Sequence, residues 1–265
     1  LKIALHHGRI SIVQQLMQDM PDLAGGHFGL LCAVYDVQSV WAMLTKDPTL
    51  AVTQAGPSLP LVHLAKSRMF RVWPDKASDG IAIADMLVAN GADVNAGSIE
   101  NGEPLYWALG HAGNMELAAW FLENGAIPND GESLYHATEL GHVDGVKLLL
   151  DHGAQPNGTN ALARAMDFDN ADMVALLLAA GSDPNGGSVP PLHHAAYRMS
   201  SGAVIDLLLE HGADPAALWG GHSAYAYARV FGNADLVARI QARGLQTKLS
   251  DIEQQLAADT KSTLA

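Results

Sequence analysis

Short apolar stretches recur along the chain, and each is closed by the same kind of polar phrase. Met86-Leu87-Val88, Trp120-Phe121-Leu122, Leu148-Leu149-Leu150, Leu176-Leu177-Leu178 and Leu207-Leu208-Leu209 are the apolar runs. The phrases after them read Asn-Gly-Ala-Asp-Val-Asn at 90–95, Asn-Gly-Ala-Ile-Pro-Asn at 124–129, His-Gly-Ala-Gln-Pro-Asn at 152–157, Ala-Gly-Ser-Asp-Pro-Asn at 180–185 and His-Gly-Ala-Asp-Pro at 211–215. Glycine ends a helix in the left-handed conformation without a Cβ clash, and proline soon after prevents the helix from resuming. Each phrase therefore stops one helix. A second phrase starts another: Pro60-Leu61-Val62-His63-Leu64-Ala65, Pro104-Leu105-Tyr106-Trp107-Ala108, Ser133-Leu134-Tyr135-His136-Ala137 and Pro191-Leu192-His193-His194-Ala195-Ala196. Proline suits a first helical turn, and small alanines let helices approach closely. Between the two come Gly141-His142-Val143-Asp144, Asn170-Ala171-Asp172 and Asn233-Ala234-Asp235, where Asn caps a second helix and the acid suits its positive end.

These phrases resemble the ankyrin repeat, which opens on Thr-Pro-Leu-His-x-Ala-Ala and closes on Leu-Leu-x-x-Gly-Ala-Asp-x-Asn. The resemblance spans residues 1–245 and is strongest at 134–215. It implies an all-α solenoid of about eight helix-pair units, starting near 1, 30, 61, 105, 134, 162, 192 and 225, within a domain over 1–249. The leading residues lie 29, 31, 44, 29, 28, 30 and 33 positions apart. A full repeat is about 33 residues, so most hairpin fingers are expected to be cut to tight turns. The long spacing places an extra loop, residues 66–80, between the helices of the third unit, with Phe70 and Trp73 to pack it. Ser250-Asp251-Ile252-Glu253 has the form of a capping box. It predicts a capping helix over 250–258, followed by a frayed tail to residue 265.

Composition narrows the partners. The chain of 265 residues carries 28 acidic residues against 15 Lys and Arg, a net charge of −13. That field repels phosphate backbones and argues against nucleic acid. No apolar run is long enough for a membrane span, and no signal peptide is visible. Cytoplasmic residence is the expectation, and because the chain starts inside a helical pattern without Met, export stays open. Its one cysteine, Cys32, reads as a small core residue, and nothing requires an oxidising compartment.

The resemblance also implies that first helices line a concave groove. The residue two after each leader should then point inward, giving Ile3, Cys32, His63, Trp107, His136, Arg164, His194 and Tyr227. The next turn contributes His6, His7, Lys66, His111, Glu139, Asp167 with Phe168, Tyr197 with Arg198, and Val230 with Phe231. A solvated face would be mixed Lys, Glu, Gln and Ser, whereas Arg, Trp and Tyr are enriched at binding hot spots. Arginine forks onto carboxylate or phosphate. The expectation is a non-enzymatic module that takes an acidic peptide or protein segment, with Arg68, Arg71, Arg164 and Arg198 pairing its charges. Trp73, Trp107 and Tyr227 would add apolar contact. For His63, His136 and His194 a structural hydrogen bond is an equal alternative, and His193 and His142 fit the inter-repeat histidine of the family.

Other chemistry finds less support. Zinc needs ligands about 2 Å from one ion, while neighbouring helices lie about 8–10 Å apart. No phosphate-loop, nucleophile-elbow or metalloprotease motif occurs, so no cofactor or metal is expected. The alternative function is a small-molecule binder or enzyme acting on an anionic substrate, with His136 or His194 as general base, Arg164 as anion clamp and Tyr227 beside them.

Overall fold

In the computed structural model, which describes residues 1–97, 102–245 and 248–263 (the last four by backbone alone), the chain is built from helices. Among the described residues the only named strands are Leu218–Trp219 (β1) and His222–Ser223 (β2), paired antiparallel. The chain divides into two compact units, Leu1–Ala137 with Asp144–Gly153, and Thr138–Val143 with Ala154–Ala265. No helix among the described residues is long and apolar enough to cross a membrane.

In the first unit the leading helices are Lys2–His6 (α1), Phe28–Ala33 (α3), Pro60–Ala65 (α5) and Pro104–Tyr106 (α8), the last continuing as a π-helical turn over Trp107–Ala112. The following helices are Ile10–Asp19 (α2), Val37–Lys46 (α4), Ala77–Ala89 (α7), Met115–Glu123 (α9) and, after Ser133–Glu139 (α10), Val143–Asp151 (α11). Leading helices pack on leading helices, α1 on α3 on α5 on α8, and α4 packs on α7, which packs on α9. The core between the rows takes Leu5, Leu31, Leu61, Leu64, Leu87, Leu105 and Phe121, all nearly inaccessible. One extra residue between Leu105 and the next turn is absorbed by the π turn, which ends in left-handed backbone at Gly113 (φ 67°).

The register of the second repeat differs from the sequence expectation. Asp169 (φ 50°) and Met199 (φ 58°) close their helices in left-handed backbone seven positions after Leu162 and Leu192. Tyr35 (φ 61°) does so seven after Phe28. The leader is therefore Phe28, not Leu30, and this repeat runs a full 33 residues to Leu61. Leu30 takes the half-exposed position, while Cys32 is fully buried.

The insertion is not an open loop. It forms a short helix, Met69–Val72 (α6), then a 3-10 turn at Pro74–Lys76 that runs into α7. Met69 and Val72 are buried. Ser67 ties the segment down, its hydroxyl donating to the Ala33 carbonyl at 2.5 Å and accepting from the Met69 amide at 3.1 Å.

In the second unit Ala161–Asp167 (α12), Pro191–Arg198 (α14), Ala224–Phe231 (α16) and Asp251–Thr263 (α18) form one row, each packed on the next. Ala171–Ala179 (α13), Gly202–Glu210 (α15) and Ala234–Ala242 (α17) form the other. The capping roles expected of Asn170 and Asn233 are present: their side chains accept from the Met173 amide at 3.1 Å and the Leu236 amide at 3.0 Å. The last residue of the closing phrase staples repeat to repeat. Asn157 Nδ2 donates to the Gly181 carbonyl at 2.8 Å and its Oδ1 accepts from the Asp183 amide at 2.7 Å. Asn185 repeats this on Gly212 and Asp214. Among the described residues most fingers are turns, and β1–β2 is the one hairpin of named strands. The α18 capping box forms, with the Glu253 carboxylate accepting from the Ser250 amide at 2.7 Å. The helix runs to Thr263 rather than fraying after 258; residues 264 and 265 lie outside the described residues.

Candidate functional site

Two clusters hold the polar side chains of the leading helices, one in each unit. The first gathers around Trp107. His6, at the end of α1, stacks on His111 with ring centroids 4.1 Å apart, and both rings lie against the indole, at 5.7 and 5.1 Å. The Lys66 ammonium, just past α5, sits 4.0 Å from the Trp107 ring centroid, a cation–π contact. Arg68, at the start of the insertion, donates from Nη2 to the His111 carbonyl at 2.5 Å, and Arg71 donates from Nη2 to the Ala112 carbonyl at 2.9 Å. Both arginines thus cap the end of the π turn, where carbonyls lack helical partners. The insertion thus carries two caps of the π turn besides packing Met69 and Val72 into the core.

The charges in this cluster share one sign. Burial pushes the His6 pKa down to about 4, helped by His111, His7, Lys66 and Arg68. Burial likewise lowers His111, with Arg68, His7 and Lys66 adding to the effect against a hydrogen bond to the His6 carbonyl. Lys66 is lowered by burial and by Lys2, and Arg68 by burial and by Arg71. Among the described residues His6, Lys66, Arg68 and His111 make no ion pair. Cations brought together in a half-buried place without counter-charge attract anions.

The second cluster is internally neutral. Asp167, the last residue of α12, accepts from His194 Nε2 at 2.9 Å, from Arg198 Nε at 2.6 Å and from Arg164 Nη1 at 3.2 Å. Burial alone would raise its pKa, but the hydrogen bonds from Arg198, His194 and Arg164 outweigh that and hold it low. Arg164 also pairs with Glu139. The two guanidinium charges expected to meet a partner are therefore matched by two carboxylates of the same unit. His194 donates to Asp167 through Nε2, so its Nδ1 is the acceptor for the Tyr197 hydroxyl at 2.8 Å. Burial lowers its pKa despite the carboxylate.

The remaining candidates have local partners. His63 is buried, with Nε2 2.6 Å from the Ala55 carbonyl, and so serves the fold. His193 does the same with the His222 carbonyl at 3.0 Å. The partners of His136 include Glu132, 3.1 Å away, and the ring of Tyr106. Trp73 is half-buried at the end of α6. Tyr227 lies not beside His194 but among His193, Trp219 and Phe231. No group of three His, Cys, Asp or Glu among the described residues is arranged to hold a metal. The sequence placed His6, His7, Lys66 and His111 on the leading-helix face without singling them out for binding. A usable signal was there: the face positions read from their repeats contain no Asp or Glu, whereas those of Arg164 and its neighbours do.

Comparison with known proteins agrees with this architecture. A family model of ankyrin repeats in three copies matches residues 76–160 and 131–188, and a single ankyrin-repeat model matches residues 190–218. Similar solved structures include the ankyrin repeat domain of human ASB11, at 23% identity and TM-score 0.57 over 86% of this chain and 95% of that one. An ankyrin repeat domain from Acinetobacter baumannii matches at 28% identity and TM-score 0.57, over 71% and 98%. The ankyrin repeat domain of Bcl-3, of the IkappaB protein family, matches at 22% identity and TM-score 0.60, over 73% and 90%. No curated protein matches the chain.

Proposed function

The chain belongs to the ankyrin-repeat family, whose domains generally bind other proteins, and from that premise we propose that it takes an acidic segment of a partner protein on the leading-helix face around Trp107. One observation carries this reading. In a chain of net charge −13, Lys66, His6 and His111 converge on one indole, His7 contacts His6, Arg68 bonds the His111 carbonyl, and the charged groups acting on His6 and His111 are all positive. Ion pairs rimming such a face set approach and specificity, while the aromatic wall supplies contact area. Arg164 and Arg198 do not carry the binding, because Glu139 and Asp167 already hold them.

Calorimetric titration with an octaglutamate peptide at low and high salt tests this. The expected result is binding that weakens with salt. Lys66→Gln should lower the affinity about fivefold or more, and Arg164→Gln with Arg198→Gln should leave it unchanged. Equal binding by wild type and Lys66→Gln, or loss confined to the Arg164/Arg198 variant, would overturn the proposal.

A further inference from the structure

The amount and arrangement of charge around Trp107 specify the anion more narrowly than an acidic segment. We infer that the group seated among Lys66, Arg68, His6 and His111 is a phosphoryl dianion carried on a phosphorylated side chain of the partner. This rests on the reading that the face binds an anionic protein segment, and adds what the anion is.

Charge comes first. Lys66 and Arg68 carry two fixed positive charges, and among the described residues neither is paired with a carboxylate. A glutamate or aspartate side chain would neutralise one of them. A phosphoryl group carries close to two negative charges and three strong acceptor oxygens.

Donors come next. Arg68 is fixed by the His111 carbonyl through one Nη, while its Nε is enclosed without a hydrogen-bond partner. The Lys66 ammonium lies on the indole face, and among the described residues its one hydrogen bond is a long 3.5 Å contact to Ser58 Oγ. Neither ring nitrogen of His6 has a partner among the described residues. Donors from two separate segments, residues 6 and 66–68, thus meet beside the His111 ring, whose Nε2 is held by the His6 carbonyl. Several convergent donors suit the multiple oxygens of a phosphoryl group better than the two of a carboxylate.

The imidazole pair adds a proton. His6 faces His7, Lys66, Arg68 and His111, and His111 faces His7, Lys66 and Arg68, so every charged neighbour disfavours the imidazolium. Two rings stacked 4.1 Å apart cannot both be charged without a counter-ion. A dianion between these groups reverses the field and allows an imidazole to take up a proton and donate a second charge-assisted hydrogen bond. Binding is then accompanied by proton uptake and strengthens as pH falls toward 6.

Two matched peptides decide the matter: acetyl-Gly-Gly-phosphoSer-Gly-Gly-amide and its analogue with Glu in place of phosphoserine. Each is titrated into the full chain, followed by the imidazole resonances of His6 and His111 and by calorimetry in two buffers of different ionisation enthalpy. The phosphopeptide should bind about tenfold or more tightly than the Glu peptide, shift both imidazoles and take up protons. Lys66→Gln should remove the preference. His6→Asn should retain part of the affinity but lose most of the proton uptake, and unchanged melting of each variant shows that it is folded. Equal affinity for the two peptides overturns the phosphoryl assignment while octaglutamate binding still stands. Inorganic phosphate binding as tightly as the phosphopeptide overturns the protein-borne source. If octaglutamate fails to bind but the phosphopeptide binds with the stated signature, the general acidic-segment reading falls and the phosphoryl assignment is upheld.

Discussion

His6 and His111, 105 positions apart in the chain, stack their imidazoles with centroids 4.1 Å apart, and His111 Nε2 lies 3.3 Å from the His6 carbonyl. The contact joins the first repeat to the fourth because the insertion pins Arg68 between them, its amide donating to the Leu5 carbonyl and its guanidinium to that of His111. A stacked neutral pair among cations makes the fold sensitive to acid.

The sign follows from where the protons bind. His6 falls from 6.5 to about 4 on folding, and His63, His111, His193 and His194 are also lowered, each chiefly by burial. The unfolded chain takes up these protons near pH 6.5, the folded chain only at lower pH. Stability is therefore intact above about pH 6.5 and is lost as pH falls toward 4. Since His6 is partly exposed, its own share is discounted to on the order of 1 kcal/mol. Urea unfolding at pH 7.5 and 5.0 should show a lower midpoint at pH 5.0, and His6→Gln should reduce the difference. Coincident midpoints would refute the account.

Asp167 is the counter-charge shared by Arg164, His194 and Arg198 in the second unit. Asp167→Asn removes the carboxylate paired with Arg198 and one of the carboxylates paired with Arg164. It also removes the group that raises the His194 pKa, which should fall further. Weakening of three charge-assisted hydrogen bonds at one partly buried carboxylate should cost about 1.5–3 kcal/mol. The freed guanidinium charge should also give salt-dependent affinity for octaglutamate. Calorimetry in a Lys66→Gln background isolates this gain from binding around Trp107, and no gain there would mean that Asp167 does not mask the arginines.

Much of this was legible in the chain because the repeat is written in helix stops and starts. Gly181 and Gly212, with φ of 95° and 92°, sit where the Gly-Ala and Gly-Ser phrases put them. The reading slipped where the phrase is degenerate. His27-Phe28-Gly29-Leu30 has no Pro-Leu opening, so Leu30 looked like the leader, although only Phe28 puts Tyr35 at the helix end. The site was harder, because charge balance depends on tertiary partners. The Arg164–Asp167 pair is local, three residues apart. Arg68 and Arg71, however, find their carbonyls 43 and 41 residues away, and nothing in a sequence marks a backbone oxygen as a partner. Arginine content on the face singles out Arg164 and Arg198, and only the tertiary structure shows them paired with Glu139 and Asp167.

The staple asparagines explain why the closing phrase carries its final Asn. Asn157 spans two repeats with both ends of its carboxamide, donating to the Gly181 carbonyl and accepting from the Asp183 amide. Asn185 does the same one repeat on. These bonds tie each closing turn to the next and so help fix the spacing of successive repeats. Asn157→Ala breaks both bonds at an exposed edge where water can compensate, so the loss should be about 1 kcal/mol. Asn157→Asp keeps the acceptor but loses the donor and should fall in between. Because stability in a repeat array is carried by nearest-neighbour interfaces, the loss should appear locally. Amide exchange should accelerate at Asp183, whose amide loses its acceptor, and across the turn after α13, while the amides of α17 stay protected. Uniform acceleration through both helices would show that the asparagine acts on global stability and not on the joint between two repeats.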